Sequence, residues 1–419
     1  MAIIQAAKGT YDVLPRDAER RGILESQVNR IFGGAGYRRI ETPVFESTEL
    51  FARGVGASTD IVQKEMYSFD DGGGRSLTLR PEGTAPICRA YVEHGMHKLP
   101  LPVKFWYFGS FFRAEQPQKG RYRQFWQVGA EAIGAGAPET DAEVIVLLAE
   151  LLDAMGVKGT RLRLASLATP ETRVEYRDEL TAYLRAHESE LSPEVRARID
   201  LNPMRAFDSS DRATQALMAD APKLLDRLGP DDALHFEQVR RLLDAAGIRY
   251  ELDPTLVRGL DYYTRTLFEF TSDALGAQSG VGGGGRYDRL IEQLGGEPTP
   301  GIGFAAGVER ILLAGAEQPI APDPVDLLVV VADRENRDHT VVGFELTREA
   351  RQAGLAAQLE LMGRSLKSAL KHADRIHARY VAIVKDQETA TLKEMDSGQQ
   401  HELEMAGVIA TILRGSRLV

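Results

Sequence analysis

The sequence contains one cysteine, Cys88, in 419 residues. A lone thiol excludes an internal disulfide and leaves no basis for a cysteine-built zinc site. That suits a reducing compartment, so a cytoplasmic location is expected. Histidine is also sparse. The closest pair, His94 and His97, has no third ligand near it in sequence and reads as two surface side chains. No protein-held metal is therefore expected. No apolar run is long enough to span a bilayer, and the richest stretch, 143–155, is interrupted by Glu150 and Asp153. The opening "MAIIQAAKGTYDVLP" lacks the basic stretch and apolar core of a signal peptide. No membrane partner is expected. Positive charge is in deficit: 51 Lys and Arg stand against 61 Asp and Glu, a net charge of −10. Alone, that argues mildly against a nucleic-acid partner, but RNA is met by a local patch, which net charge does not describe.

Several catalytic signatures are missing as well. There is no G-x-x-x-x-G-K-[ST] loop and no G-x-S-x-G elbow. Gly280, Gly282 and Gly285 satisfy G-x-G-x-x-G formally, but "GIGFAAGVERIL" (301–312) follows where a strand ending in an acid is needed. A nicotinamide-dependent oxidoreductase rests on that glycine cluster alone. If ATP is bound here, planar guanidinium groups are the alternative to a phosphate-binding loop.

With 43% apolar residues, the chain can build two or three globular domains at roughly 150 residues each. Residues 16–35 read as a helix, and "YRRIETPVFE" as a strand containing Pro43, which favours an edge position. A capping box from Thr140 to Glu143 predicts a helix closed by Gly156. Residues 169–247 are helical in pattern, with stops at Pro193, Pro203, Pro222 and Gly229–Pro230, and read as a helical insertion. A strand is expected over 267–271 and a helix over 287–294. A proline-rich linker, 319–326, then precedes "LLVVVA" (327–332), which suits a buried parallel strand. Helix and strand alternate from there, giving a small α/β domain over 327–419.

The clearest element is a hairpin, Val103–Phe112 and Tyr122–Ile133, around "EQPQKG". Period-2 geometry puts Phe105, Tyr107, Gly109, Phe111 and Arg113 on one face of the first strand. Arg121, Arg123, Phe125, Gln127, Gly129 and Glu131 share a face of the second. Such a face makes a polar floor for a site, and a solvated outer surface fits the alternation equally well.

Several segments together resemble a known family. "FRAE" (112–115), with Arg121 and Phe125 after a short loop, resembles the second signature of class II aminoacyl-tRNA synthetases. "GYRRIETPVFE" (36–46) resembles their first and "GIGFAAGVERIL" their third. "RPEGTA" (80–85), "LVRGLDYYTRT" (256–266) and "GGGRYDRLIEQLGG" (283–296) resemble segments peculiar to histidyl-tRNA synthetases. The likeness runs from Lys8 to about Val419. Three departures are Val281–Gly282, where cysteine or alanine is common, Arg289, where glycine is common, and Trp126, where histidine is frequent.

The resemblance implies an α+β catalytic domain over 1–168 and 248–318: an antiparallel sheet flanked by helices. The α/β domain over 327–419 becomes an anticodon-binding domain. The implied reaction activates L-histidine with ATP, with Mg²⁺, and passes it to tRNA(His). Neither step needs a protein nucleophile, consistent with the missing motifs; positioning and electrostatic stabilisation carry the rate.

Roles follow by resemblance. Arg113 holds the α-phosphate and the attacking carboxylate, and Arg258 takes the opposite side. These two are the catalytic pair. Arg121 and Arg310 clamp the β,γ end, Phe125 stacks on adenine, and Glu115 approaches its amino group. Histidine is held by Glu82, Gly83, Thr84, Arg113, Gln127, Glu131, Arg258, Tyr262 and Tyr263. Glu131 accepts the imidazole N–H and Tyr263 donates to the other nitrogen, while Glu82, Thr84 and Gln127 meet the ammonium. If Tyr262 and Tyr263 lie on a strand, their faces oppose and one fills core. The glycines at 282–285 allow close backbone approach to the amino acid. A homodimer is implied through the first signature.

In the C-terminal domain, Arg364, Lys367, Lys371, Arg375 and Arg379 recur every three or four residues, placing them on one helical face for tRNA. A rival within the same fold is a non-catalytic regulatory paralogue of ATP phosphoribosyltransferase. Such paralogues typically lack the C-terminal domain and the arginines present here.

Overall fold

The computed structural model describes residues 3–56, 59–276, 279–316 and 325–416. Most of the expected linker lies outside the described residues, as does the chain after Ser416. The chain divides into two units, Met1–Gln318 and Pro319–Val419. Among the described residues, no helix is long and apolar enough to cross a membrane.

The first unit opens with α1 (Pro15–Gly34), which starts on a proline whose missing N–H has no partner to lose there. The segment expected as one strand breaks at Pro43. It yields β1 (Arg38–Arg39) and β2 (Phe45–Ser47), in two different sheets. Then come α2 (Thr48–Gly54), β3 (Tyr67–Asp70), β4 (Ser76–Leu79) and α3 (Thr84–Glu93). The hairpin is β5 (Val103–Phe112) and β6 (Gln124–Ile133). Next is α4 (Pro138–Ala154), with no side-chain cap: Pro138 starts it, so Thr140 sits inside the first turn and the expected capping box does not form.

After β7 (Thr160–Ser166) come α5 (Pro170–Ala186), α6 (Pro193–Arg196), α7 (Arg212–Asp220) and α8 (Pro230–Ala245). Here prolines begin helices as well as ending the ones before. The unit closes with β8 (Tyr250–Leu252), β9 (Thr264–Ser272), β10 (Gly280–Arg286), α9 (Leu290–Gln293), β11 (Gly301–Gly307) and α10 (Val308–Ala314). The helix expected over 287–294 is thus a single turn.

Eight strands form one sheet in the order β1-β5-β6-β11-β10-β9-β7-β8. Its interior pairs run antiparallel, and the short edge strands β1 and β8 run parallel to their neighbours. Both faces are covered. Leu24, Val28 and Phe32 of α1, Leu148 of α4 and Phe236 and Val239 of α8 bury one face. Ile87 and Tyr91 of α3, with Tyr176 and Leu180 of α5, pack on the other, beside Tyr107 and Phe111. The glycines of β10 form a central strand, not the turn before a helix that dinucleotide binding needs, which overturns the oxidoreductase reading. A Cβ on Gly284 would run into the Gly303 carbonyl of β11, so only glycine lets these strands pair so closely.

In the second unit β12 (Val325–Val331) is buried and parallel to β13 (Ala357–Leu359) and β14 (Ala378–Val384). Antiparallel β15 (Thr389–Glu394) and β16 (Gln400–Glu404) extend the sheet. It is joined by α11 (Arg337–Gln352), α12 (Leu366–Arg375) and α13 (Met405–Ser416).

Candidate active site

The β5–β6 register sets Phe105 opposite Glu131, Tyr107 opposite Gly129, Gly109 opposite Gln127 and Phe111 opposite Phe125. The face that alternation picked out is therefore continuous across the hairpin. It is not a solvated outer face: Tyr107, Gln127 and Glu131 are buried. Tyr107 can lie flat across the hairpin because Gly129 has no Cβ to meet its hydroxyl end.

Beside this face lies a cavity of about 480 Å³. Arg113, Glu115, Arg121, Phe125, Arg258 and Arg310 all line it, and so does Gln127. Each guanidinium is held. Arg113 Nε donates to the Pro81 carbonyl at 2.9 Å, and its head lies 5.4 Å from the Phe125 ring centre. Arg121 meets Glu115 at 3.4 Å. Arg310 donates to the carbonyls of Gly120 and Gly280, tying the hairpin loop to β10. Burial and the nearby Arg121 guanidinium lower the pKa of Arg310. Arg258 donates to Glu269 at 2.6 Å. Arg123, expected on the same face, precedes β6; its side chain folds over Gly9 and does not line the cavity.

The remaining residues expected to bind histidine form a buried cluster two strand positions beyond Gly129. Glu82 accepts the N–H groups of Thr84 and Ala85 at 2.7 and 3.0 Å, capping α3. Glu131, 0% exposed, accepts from Thr84 Oγ1 at 2.7 Å and from the Tyr287 hydroxyl at 2.6 Å. Burial pushes its pKa up to about 8, against the pull of those two hydrogen bonds. Gly83 lies against the Tyr107 ring. Tyr262 and Tyr263 sit in the turn before β9, so strand alternation does not part them: both are buried, with ring centres 4.7 Å apart, and Tyr262 also packs on Tyr287. Glu82, Gly83, Thr84, Glu131, Tyr262 and Tyr263 do not line the 480 Å³ cavity. Gln127 spans the two regions. Among the described residues, its Oε1 has no hydrogen-bond partner although it is buried at the wall, and the same holds for the Tyr107 hydroxyl within the cluster.

Sequence reasoning missed Glu269, Glu309 and Tyr287. Glu269 bridges Arg258 and Arg163 from a strand that otherwise reads as apolar. Glu309, next to Arg310, accepts from Arg21, the Tyr11 hydroxyl and the Trp126 N–H. It fixes α10 against α1 and β6. The only signal for either was an acid inside a glycine-rich or apolar segment.

The expected basic stripe of the second unit is cut short. Helix α12 ends at Arg375 and His377 turns the chain at φ 52°, so Arg364 precedes the helix and Arg379 lies in β14. Arg364 is paired with Glu360 and Arg379 with Asp326. Lys367, Lys371 and Arg375 alone share a helical face, and all three are exposed.

Comparison with known proteins places the chain in a family. A family profile described as histidyl-tRNA synthetase matches residues 9–311, and one described as an anticodon binding domain matches 326–414. The chain is 44% identical over 415 residues to a histidine–tRNA ligase of Halothermothrix orenii, covering 97% of this chain and 98% of that one. It is 47% identical over 407 residues to one from Halorhodospira halophila, with 95% of each chain covered. Its fold is similar to the apo S. aureus histidyl-tRNA synthetase, with a TM-score of 0.80 and 35% identity over 98% of this chain and 100% of that one. The chain belongs to the histidyl-tRNA synthetase family.

Proposed function

We propose that the chain is a histidine–tRNA ligase in which the arginine-lined cavity builds histidyl-adenylate and the buried cluster beside it selects histidine. The observation that carries this reading is convergence. Arg113 and Arg121 of the hairpin, Arg258 and Arg310, drawn from three separate segments, line one cavity with Phe125 as its aromatic wall.

A histidine carboxylate oxygen attacks the α-phosphorus of ATP, and the bond to pyrophosphate breaks. Negative charge builds on the α-phosphoryl oxygens and the leaving group. Arg113 and Arg258 flank the α-phosphate, while Arg121 and Arg310 hold the departing end. These charges are held in place before reaction, so little reorganisation opposes the step. Mg²⁺ would arrive with the triphosphate as its counter-ion and would neutralise charge on the leaving pyrophosphate; Glu269, which lines the cavity, is the carboxylate that would approach it, while Glu115 meets the adenine amino group. In the second step a ribose hydroxyl of the tRNA 3′ end attacks the histidyl carbonyl carbon, and AMP leaves.

Gln127 Oε1, buried at the cavity wall and without a partner among the described residues, is a ready acceptor for the amino acid's ammonium. Glu131 meets the imidazole N–H, and Tyr263 the other ring nitrogen. An apolar analogue would leave those groups unpaired, allowing discrimination of roughly 10⁴. Lys367, Lys371 and Arg375 form the exposed face offered to the anticodon stem of tRNA(His). Val44, Phe45 and Phe69 are exposed apolar side chains in and beside the first signature, which supports a homodimer formed there. A cytoplasmic site of action suits this role. The non-catalytic regulatory reading does not account for four retained arginines or for a second unit that matches an anticodon binding domain.

The test is exchange of labelled pyrophosphate into ATP. Exchange that requires both histidine and Mg²⁺ supports the assignment. Wild-type protein that gives none with both present refutes it.

A further inference from the structure

A second cavity, of about 200 Å³, opens on the other side of the 256–263 loop. Arg173 and Arg177 of α5, Arg205 of the 203–208 turn, and Arg258 all line it. Asp261, hydrogen-bonded by Asn202 at 3.1 Å, is the one acid in its lining. Arg205 is paired with Asp208 at 3.1 Å, and Arg258 with Glu269. The two arginines of α5 differ. Arg173 Nε donates to the Leu167 carbonyl at 2.9 Å and Nη2 to the Tyr263 carbonyl at 2.7 Å. Among the described residues, no carboxylate forms an ion pair with Arg173 or Arg177. Burial, and then the neighbouring Arg177, hold the Arg173 pKa down at about 10. Asp261, Asp232 and Glu171 pull the other way but do not offset burial and Arg177, so a bound anion would further relieve the cost of taking this guanidinium from water.

We infer that this cavity binds a phosphate group, and that the phosphate is the phosphodiester next to the 3′-terminal nucleotide of the tRNA. The inference rests on the proposed ligase reading. Planar guanidinium forks suit phosphate oxygens. Arg258 and Leu260 line both cavities, so the two adjoin, and a strand held in the second would run beside the adenylate in the first. Exposed Arg177 and Leu201 mark the mouth on the solvent side. Pyrophosphate is the other source of the same chemistry. The arginines assigned to its end of ATP, Arg121 and Arg310, line only the first cavity.

The experiment compares Arg177→Glu and Arg177→Lys with wild type in two assays. The first is single-turnover transfer of histidine from preformed enzyme-bound adenylate to tRNA, below saturation and over a range of salt. The second is pyrophosphate exchange. For Arg177→Glu, transfer should fall at least about tenfold further than exchange, and its salt slope should drop by about one. Arg177→Lys should recover part of the loss. Equal rates in wild type and Arg177→Glu, or an equal fall in both assays, would overturn the RNA assignment. A raised KM for pyrophosphate with normal transfer would assign the cavity to pyrophosphate instead. Failure of wild-type exchange would sink the ligase reading itself.

Discussion

Replacing Glu131 by glutamine should stabilise the catalytic unit, increasingly so as pH rises. The carboxyl is fully buried and titrates near 8 in the folded chain, against 4.5 for an unperturbed glutamic acid. The folded state therefore binds more protons than the unfolded state between those values, and stability falls as pH rises through that window. Each pH unit costs about 1.4 kcal/mol, so from pH 5.5 to 7.5 wild type should lose ~3 kcal/mol that the glutamine variant does not. Glutamine keeps the shape and an oxygen to accept from Thr84 or Tyr287, and it does not titrate. Taking the difference between the two proteins removes every group that titrates alike in both. The assay is urea unfolding followed by tryptophan fluorescence. It reports on this unit alone, because the chain's two tryptophans, Trp106 and Trp126, both stand on the β5–β6 hairpin. A variant-minus-wild-type difference that stays flat over this pH range would show that Glu131 is not held protonated by burial.

Other outcomes follow from the same geometry. Arg258→Ala should lower the exchange rate by about 10²–10³ while leaving most histidine affinity, read from the split between turnover and KM. An unchanged turnover would remove Arg258 from the reaction. Arg21→Met breaks the pair with Glu309, whose side chains are only 9% and 7% exposed, and should cost about 3–5 kcal/mol in unfolding experiments. Charge reversal at Lys367 and Lys371 should weaken tRNA binding and flatten its salt dependence while sparing exchange. Equal tRNA affinity would mark that helix face as ordinary surface.

Much of the site was legible because strand alternation and motif spacing are local properties. The face carrying Tyr107, Gln127 and Glu131 followed from period two, and the arginines stood in dense signatures. What was not legible depends on breaks and on distant partners. Pro43 split one expected strand between two sheets. Pro138 moved a helix start two residues before Thr140. His377 ended the basic stripe, because a chain entering β14 cannot continue a helical face. Tyr262 and Tyr263 share a cluster because the turn before β9 releases them from alternation. Glu269 and Glu309 gave little signal, since their partners Arg163 and Arg21 lie far away in sequence. The Gly282–Gly285 run was read as room for a ligand. Its immediate cause is the closeness of β10 to its two neighbours, a tertiary fact that the sequence does not display.

On this reading the arginine-lined cavity makes an adenylate of histidine without covalent help from the chain. Wild-type protein mixed with ATP, Mg²⁺ and histidine, without tRNA, should release a rapid burst of pyrophosphate close to one equivalent per active site. Bound histidyl-adenylate should be recovered on quenching, and none should form when phenylalanine replaces histidine. No burst, or a burst independent of which amino acid is supplied, would mean that this cavity does not make histidyl-adenylate.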